Sequence, residues 1–272
     1  MKKTRWLMLA VALILVAAMF AGCAGQAPPP AQQSAPAPAP APAKVKIKVG
    51  SDTTFAPLEF IDDKGKPAGF DIDLINEVCK EANLEPEIQT LPFDGLIAGL
   101  KSGQIDVAIS SMTITDERKQ AINFSDVYYH SGLSVSVQAK NETIKGFADL
   151  KGKRIAVQSG TTGESEAKKV EGAKVRSFTN SDQTFMELKN GGVDAVINDY
   201  PVTAYFIAQG NADVKIVGER LTSEDYGIAV TKNNADLVTK INEGLKKVKQ
   251  NGKFAEFYKK WFGEAPPADL LK

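Results

Sequence analysis

The chain has 272 residues, with 33 Lys and Arg against 33 Asp and Glu, so its formal net charge is zero. That balance, without a basic tract, excludes a protein that holds nucleic acid by electrostatics. One histidine and two cysteines leave no ligand cluster for a metal and rest any Ser-His or Cys-His pair on His130 alone, so no metal, cofactor or catalytic dyad is expected.

In chain order, Lys2, Lys3 and Arg5 precede an uncharged apolar stretch from Trp6 to Phe20. It has the length of a signal h-region and is short for a membrane span. Ala21-Gly22-Cys23 follows. Residues 1–22 resemble a bacterial lipoprotein signal peptide whose cysteine, here Cys23, becomes the lipidated N-terminus. The departure from that pattern is Phe20, where leucine is usual, and the other reading is an uncleaved anchor helix. Both readings export the protein and tether it to the extracytoplasmic face of a membrane. Residues 23–43 carry the cysteine and then QAPPPAQQSAPAPAPAPA. Alternating Ala and Pro favours polyproline II at about 3.1 Å per residue, a spacer of roughly 50 Å with no chemistry of its own. With Cys23 lipidated, Cys79 is the only thiol left and no intramolecular disulfide forms. Its place in IDLINEVCKEANL has core spacing, as for a buried structural thiol.

The remaining body, about 230 residues, suits two lobes. VKIKVGSD (45–52) alternates as a first strand, and GFDIDLINEVCKEANL opens a helix near Asp71. FDGLIAGLKSGQIDVAISS (93–111) and QTFMELKNGGVDAVINDYP (183–201) resemble one another. Each has an amphipathic helix, a Lys-x-Gly stop, and a short apolar run that ends in polar residues. Such bounded runs suit buried parallel strands, so two α/β lobes are expected. Each would present polar groups at the carboxyl ends of its strands, where open α/β sheets bind ligands. KGKRIAVQSGTTGESEAKKV reads as strand, Gly-rich turn and helix, and starts the second lobe. NADLVTKINEGLKKVKQNG and FAEFYKKWFG close the chain as helices. Crossings between lobes are expected at 126–133 and 222–229. Lobe 1 is then discontinuous, 44–127 plus 227–268, with lobe 2 and the crossings over 128–226.

The candidate site residues fall in these polar ends. Ser111 and Thr113 precede Arg118 in SSMTITDER. Arg118 can pair bidentately with a carboxylate or be a surface residue of a charged helix start. Gln158 and Thr162 flank a turn whose N–H groups would form an anion site at a helix N-terminus. No GxxxxGK[ST] pattern occurs, which argues against a nucleotide loop. Asp199 can cap a helix or meet an ammonium. Phe55 and Phe93 are core or ligand-facing aromatics. Hydroxyls and an arginine on one lobe, with an anion-binding turn and an acid on the other, suit a ligand with one carboxylate and one ammonium.

The motifs DTTFAPLEF (52–60), GFDIDL (69–74), SSMTITDER (110–118), GKRIAVQSGTTG (152–163), DAVINDYPV (194–202), DYGIAV (225–230) and YKKWFG (258–263) resemble the family-3 extracellular solute-binding proteins, the polar amino acid receptors of ABC importers. The resemblance implies a two-lobed α/β fold of the type II periplasmic-binding class, with two hinge crossings. It also implies a monomer that closes on a free L-amino acid and then meets a membrane-embedded permease. By motif, Arg118 takes the ligand α-carboxylate with N–H groups at Thr113 and near Thr162. Asp199 takes the α-ammonium with the Ser111 carbonyl and the Thr113 hydroxyl. Phe55 and Phe93 flank the ligand side chain, and Asp52 and Gln158 face its polar end. A neutral Gln158 would leave Asp52 free for a cationic side chain, so arginine, lysine or histidine is the expected ligand, with glutamine the alternative. A cyclohexadienyl dehydratase-like enzyme on the same fold is the alternative of another class, with Asp52 or Glu59 as the acid or base. Sensors with this fold normally carry a fused transmembrane signalling module, which is not expected here.

Overall fold

A computed structural model describes residues 44–272; the expected signal peptide, Cys23 and the Ala/Pro spacer lie outside the described residues. No helix among the described residues is long and apolar enough to cross a membrane. The chain starts with β1 (Val45–Ser51), the two-residue strand β2 (Thr54–Phe55), β3 (Glu59–Ile61) and β4 (Pro67–Ala68), then α1 (Phe70–Glu81). Next come β5 (Leu84–Thr90), α2 (Phe93–Ser102), β6 (Val107–Ala108), α3 (Asp116–Ala121) and β7 (Asn123–Ser131). The second set is β8 (Leu133–Gln138), β9 (Arg154–Gln158), α4 (Thr162–Lys168), β10 (Lys174–Phe178), α5 (Ser181–Lys189), β11 (Ala195–Asp199), α6 (Tyr200–Ala208) and β12 (Val214–Val217). The chain then returns through β13 (Glu224–Val230), α7 (Ala235–Gln250) and α8 (Lys253–Phe262).

Two five-stranded sheets result, β5-β1-β6-β13-β7 and β10-β9-β11-β8-β12. In the first, β1 runs parallel to β5 and β6, and β13 is antiparallel to β6 and β7. In the second, β9 runs parallel to β10 and β11, and β8 is antiparallel to β11 and β12. The repeated helix-stop-strand units become α2–β6 and α5–β11, one in each sheet. Gly103 ends α2 in the left-handed conformation that the Lys-x-Gly stop demands.

The crossings are narrower than the sequence suggests. β7 stays in the first sheet through Ser131 and β13 joins it from Glu224, past the expected lobe edges at residues 127 and 227. The chain changes sheet at Gly132 and again over 218–223. These two segments run side by side, with Leu221 N–H donating to Leu133 O at 2.8 Å and Leu133 N–H to Thr222 Oγ1 at 3.0 Å. A Cβ on Gly132 would lie 2.1 Å from the Thr222 carbonyl, so only glycine fits there.

Apolar packing covers both sheets, and one buried cluster takes residues from each. Leu133, Val135, Val137, Ile155, Val157 and Ile197 fill the second. On the first, Phe70 meets Tyr128, Tyr129, Phe254, Tyr258 and Phe262, with ring centroids 5.3–6.3 Å apart. The aromatic C-terminal helix is thereby sealed onto α1, each such pair adding about 0.5–1.5 kcal/mol beyond the area it buries. Leu237, Ile241, Leu245 and Val248 are buried at helical spacing along α7. Cys79 is buried in α1, and burial pushes its thiol up to about 12, as suits an inert core residue.

Candidate functional site

The carboxyl ends of β1, β6, β9 and β11 bring Asp52, Ser110–Thr113, Gln158 and Asp199 together. Arg118 is not the surface residue of the alternative reading: it is 8% exposed. Thr115 caps α3, its hydroxyl accepting from Arg118 N–H at 3.2 Å, which leaves the guanidinium free to turn inward. Nη1 donates to Thr113 O at 2.8 Å and Nη2 to Gly160 O at 3.0 Å, so the arginine touches both lobes. Its Cζ lies 5.3 Å from the Phe93 ring centroid, a cation–π contact. Burial lowers the arginine's basicity, and the charges of Glu224 and Asp199 are the main influences that oppose it.

Asp199 stands at the N-cap position of α6, yet its side chain makes no cap hydrogen bond. It accepts instead from the Tyr226 hydroxyl and from Ser131 Oγ at 3.3 Å. Burial first, then the charge of Glu224, pushes its carboxyl well above the usual range. Thr113 is held by β13, as Ile114 N–H donates to Asp225 O at 2.8 Å and Gly227 N–H to Met112 O at 3.2 Å. Its hydroxyl donates to Glu224 Oε2 at 2.7 Å, and the Thr162 hydroxyl donates to the same oxygen at 3.2 Å. Both threonine hydroxyls thus spend their proton on Glu224, which leaves their lone pairs available as acceptors.

The glycine-rich turn differs from expectation in one respect. Thr161 caps α4, and Gly160 N–H is already taken by Glu164 Oε2 at 2.8 Å. Gly160 has φ +77°, and a Cβ there would lie 2.9 Å from Asp94 Cβ. The turn therefore approaches α2 more closely than any other residue would allow.

Gln158 does not leave Asp52 free. Its Nε2 donates to Asp52 Oδ2 and, at 3.0 Å, to Thr179 O. Asp52 Oδ1 accepts from Thr54 Oγ1 at 3.0 Å. Burial raises the Asp52 carboxyl to about 6 against these stabilising bonds. Phe55 is buried on β2 within the hydrophobic core, and Phe93, half-buried at the start of α2, is the aromatic that meets Arg118. Glu59 is fully buried, and its carboxylate accepts from Ser110 Oγ at 3.1 Å and Ser111 Oγ at 2.9 Å. It lies behind the site rather than in it. A cavity of about 640 Å³ opens beside Thr113, Arg118, Gly160, Thr162 and Glu224. A larger hollow, about 890 Å³, lies between α3, β7 and the start of α7 and contains none of the expected residues.

Sequence reasoning missed Glu224, Tyr226 and Ser131. Glu224 and Tyr226 stand at or beside the DYGIAV motif, and a glutamate opening an apolar strand at a lobe crossing was the available signal. Ser131 carried no sequence signal and emerges only through its hydrogen bonds with Tyr226 and Asp199.

Two sheets joined by paired crossings, with polar residues gathered at facing strand ends, make this the two-lobed type II periplasmic-binding fold. The chain belongs to the bacterial extracellular solute-binding proteins, family 3, whose family model matches residues 47–264. It is 35% identical over 270 residues, 97% of each chain, to a probable histidine-binding protein of Neisseria gonorrhoeae. Among solved structures it resembles an ancestral arginine-binding protein bound to arginine, at 45% identity and a TM-score of 0.78, over 81% of this chain and 100% of that one. An ancestral arginine-binding protein bound to glutamine matches at 44% identity and a TM-score of 0.76, over 81% and 99%.

Proposed function

We propose that the cleft binds a free L-amino acid with a cationic side chain, arginine before lysine or histidine. The protein would then act as the lipid-anchored, monomeric receptor of an ABC importer. The carrying observation is Arg118, a buried guanidinium whose hydrogen bonds go only to carbonyls. Glu224 and Asp199 favour its charge without a hydrogen bond to it, and an α-carboxylate would supply the directly bonded partner that a buried charge needs. Asp199 is the complementary group for an α-ammonium, which by the family motif it would share with the Ser111 carbonyl and the Thr113 hydroxyl. Thr162 and the turn before it close over the carboxylate end, and Phe55 and Phe93 flank the side chain.

Asp52 supports a cationic ligand over a neutral one. It is buried, and its partners are an amide and a hydroxyl rather than a cation. A guanidinium or ammonium would offset the desolvation that raises it, and Gln158 would then turn part of its bonding to the ligand. Glutamine is the second reading, favoured by the Asp52–Gln158 pair itself, which presents both a donor and an acceptor. Binding rather than catalysis suits a site whose candidate acid Glu59 is sealed behind Ser110 and Ser111. Calorimetric titration with arginine, lysine, histidine and glutamine tests the assignment. Binding of glutamine alone would overturn the cationic reading, and no binding of any amino acid would overturn the receptor. In this reading the spacer over residues 23–43 holds the body off the membrane at Cys23, within reach of the permease.

A further inference from the structure

One residue at the site holds an unusual backbone. Ser111 has φ +50°, a left-handed conformation that non-glycine residues seldom adopt. Asn83 is the other non-glycine residue with positive φ among those described, and asparagine tolerates that region far better than serine does. A left-handed serine costs free energy of its own and persists only where its surroundings fix it.

Those surroundings are two acidic side chains from other parts of the chain. Ser111 N–H donates to Asp71 Oδ2 at 2.9 Å, and Ser111 Oγ donates to Glu59 Oε2 at 2.9 Å. Asp71 opens α1 and also accepts from Tyr128 OH at 2.8 Å, which ties it to β7. Glu59, on β3, also accepts from Ser110 Oγ, and Ser110 Oγ in turn accepts from Asp52 N–H at 2.9 Å. Glu59 is 1% exposed and Asp71 not at all. The remaining oxygen, Asp71 Oδ1, is buried with no donor. Two adjacent buried carboxyls do not both ionise. Burial and the charge of Asp71 push Glu59 well above the usual range, and burial raises Asp71 to about 7, so the pair does not carry two full charges under Ser111.

We infer that Glu59 and Asp71 are a positioning pair, which holds Ser111 left-handed so that its carbonyl faces the amino acid ammonium beside Asp199. The inference rests on the amino-acid reading of the cleft. The pair touches no ligand and acts through the Ser110–Ser111 backbone. Its Ser111 arm affects the part of the ligand common to all amino acids; the Ser110 arm of Glu59 also reaches Asp52 N–H, so the test perturbs Asp71 and Ser111 and leaves Glu59 in place. The network uses Glu59 of DTTFAPLEF and Asp71 of GFDIDL, two acids to which the binding reading gives no task.

The test is calorimetry of four variants against every amino acid that the wild type binds, with unliganded melting measured in parallel. Asp71→Asn keeps an oxygen for Ser111 N–H and should hold affinity within about threefold. Asp71→Ala removes that acceptor and should weaken arginine and glutamine alike, by about tenfold or more. A folded Asp71→Ala protein that binds within threefold of wild type, or that loses one ligand and not the other, would overturn the inference. Should Asp71→Ala fail to fold, Ser111→Gly and Ser111→Val decide. Both remove the hydroxyl, but only glycine accepts positive φ freely. Valine should bind at least about tenfold more weakly than glycine, and equal affinities would refute the left-handed role. A wild type that binds no amino acid fails the receptor reading instead, so the two failures are distinct.

Discussion

Replacing Asp52 by Asn should strengthen the unliganded protein while it weakens arginine binding. Burial raises the Asp52 carboxyl from 3.8 to about 6. At about 1.36 kcal/mol per pH unit, holding it ionised above pH 6 costs the fold about 3 kcal/mol. The sign follows from proton uptake: between pH 3.8 and about 6 the folded state binds the proton more readily than the unfolded state. The penalty is therefore full above pH 6, shrinks as the pH falls, and is gone below about pH 4. Asn retains the shape, accepts from Gln158 and donates to Thr54 Oγ1, without the charge. Urea unfolding at pH 7.5 should show the variant about 2–3 kcal/mol more stable, a melting rise of very roughly 5–10 °C, with the gain fading towards pH 4. Binding should move the other way. A cation 4 Å from Asp52 at an effective dielectric near 20 gains about 4 kcal/mol, so arginine affinity should fall by up to about three orders of magnitude and glutamine affinity by less than about tenfold. Wild-type arginine affinity should likewise fall as the pH drops through about 6. Equal stability of the two proteins at pH 7.5, or equal loss of arginine and glutamine binding, would refute the reasoning.

Arg118→Ala should abolish amino acid binding and leave unliganded melting nearly unchanged, because the arginine's own bonds are two carbonyl contacts; Arg118→Lys should also fail, since an ammonium lacks the planar fork, and both are read by calorimetry and thermal shift. Gln158→Lys should place an ammonium beside Asp52, weaken arginine at least about tenfold and spare glutamine in the same titration. If the dissociation constant is on the order of 1 µM, ligand at about 1 mM should add about 4 kcal/mol and raise the melting point measurably. Cys23→Ser should release the protein from membranes on fractionation, and unchanged membrane association would point to an uncleaved helix.

The sequence by itself determined the α/β class and the two lobes, and it marked the strand ends where polar residues gather. Those features are written in local periodicity, in stops such as Lys101-Ser102-Gly103, and in short apolar runs closed by polar residues. It also placed Arg118, Thr113, Thr162 and Asp199 near one another by motif. Only the tertiary structure decided what each polar group meets. Asp199 occupies a helix-cap position, but Tyr226 and Ser131 claim its carboxylate, and both come from strands distant in the chain. Gln158 is neutral, as the sequence says, yet it binds Asp52 instead of freeing it, because the β9 and β1 ends face each other across the cleft. The lobe crossings fell at Gly132 and residues 218–223 because strand pairing, a contact between distant segments, carries β7 and β13 further than local pattern indicates. Burial made the largest difference. The sequence offers Glu59 only as the acid or base of an enzyme alternative and Asp71 only as a helix start, and their shared burial under Ser111 arises only when β3, α1 and the end of β6 converge. A charge's solvation depends on what surrounds it in space, and adjacency along the chain does not encode that.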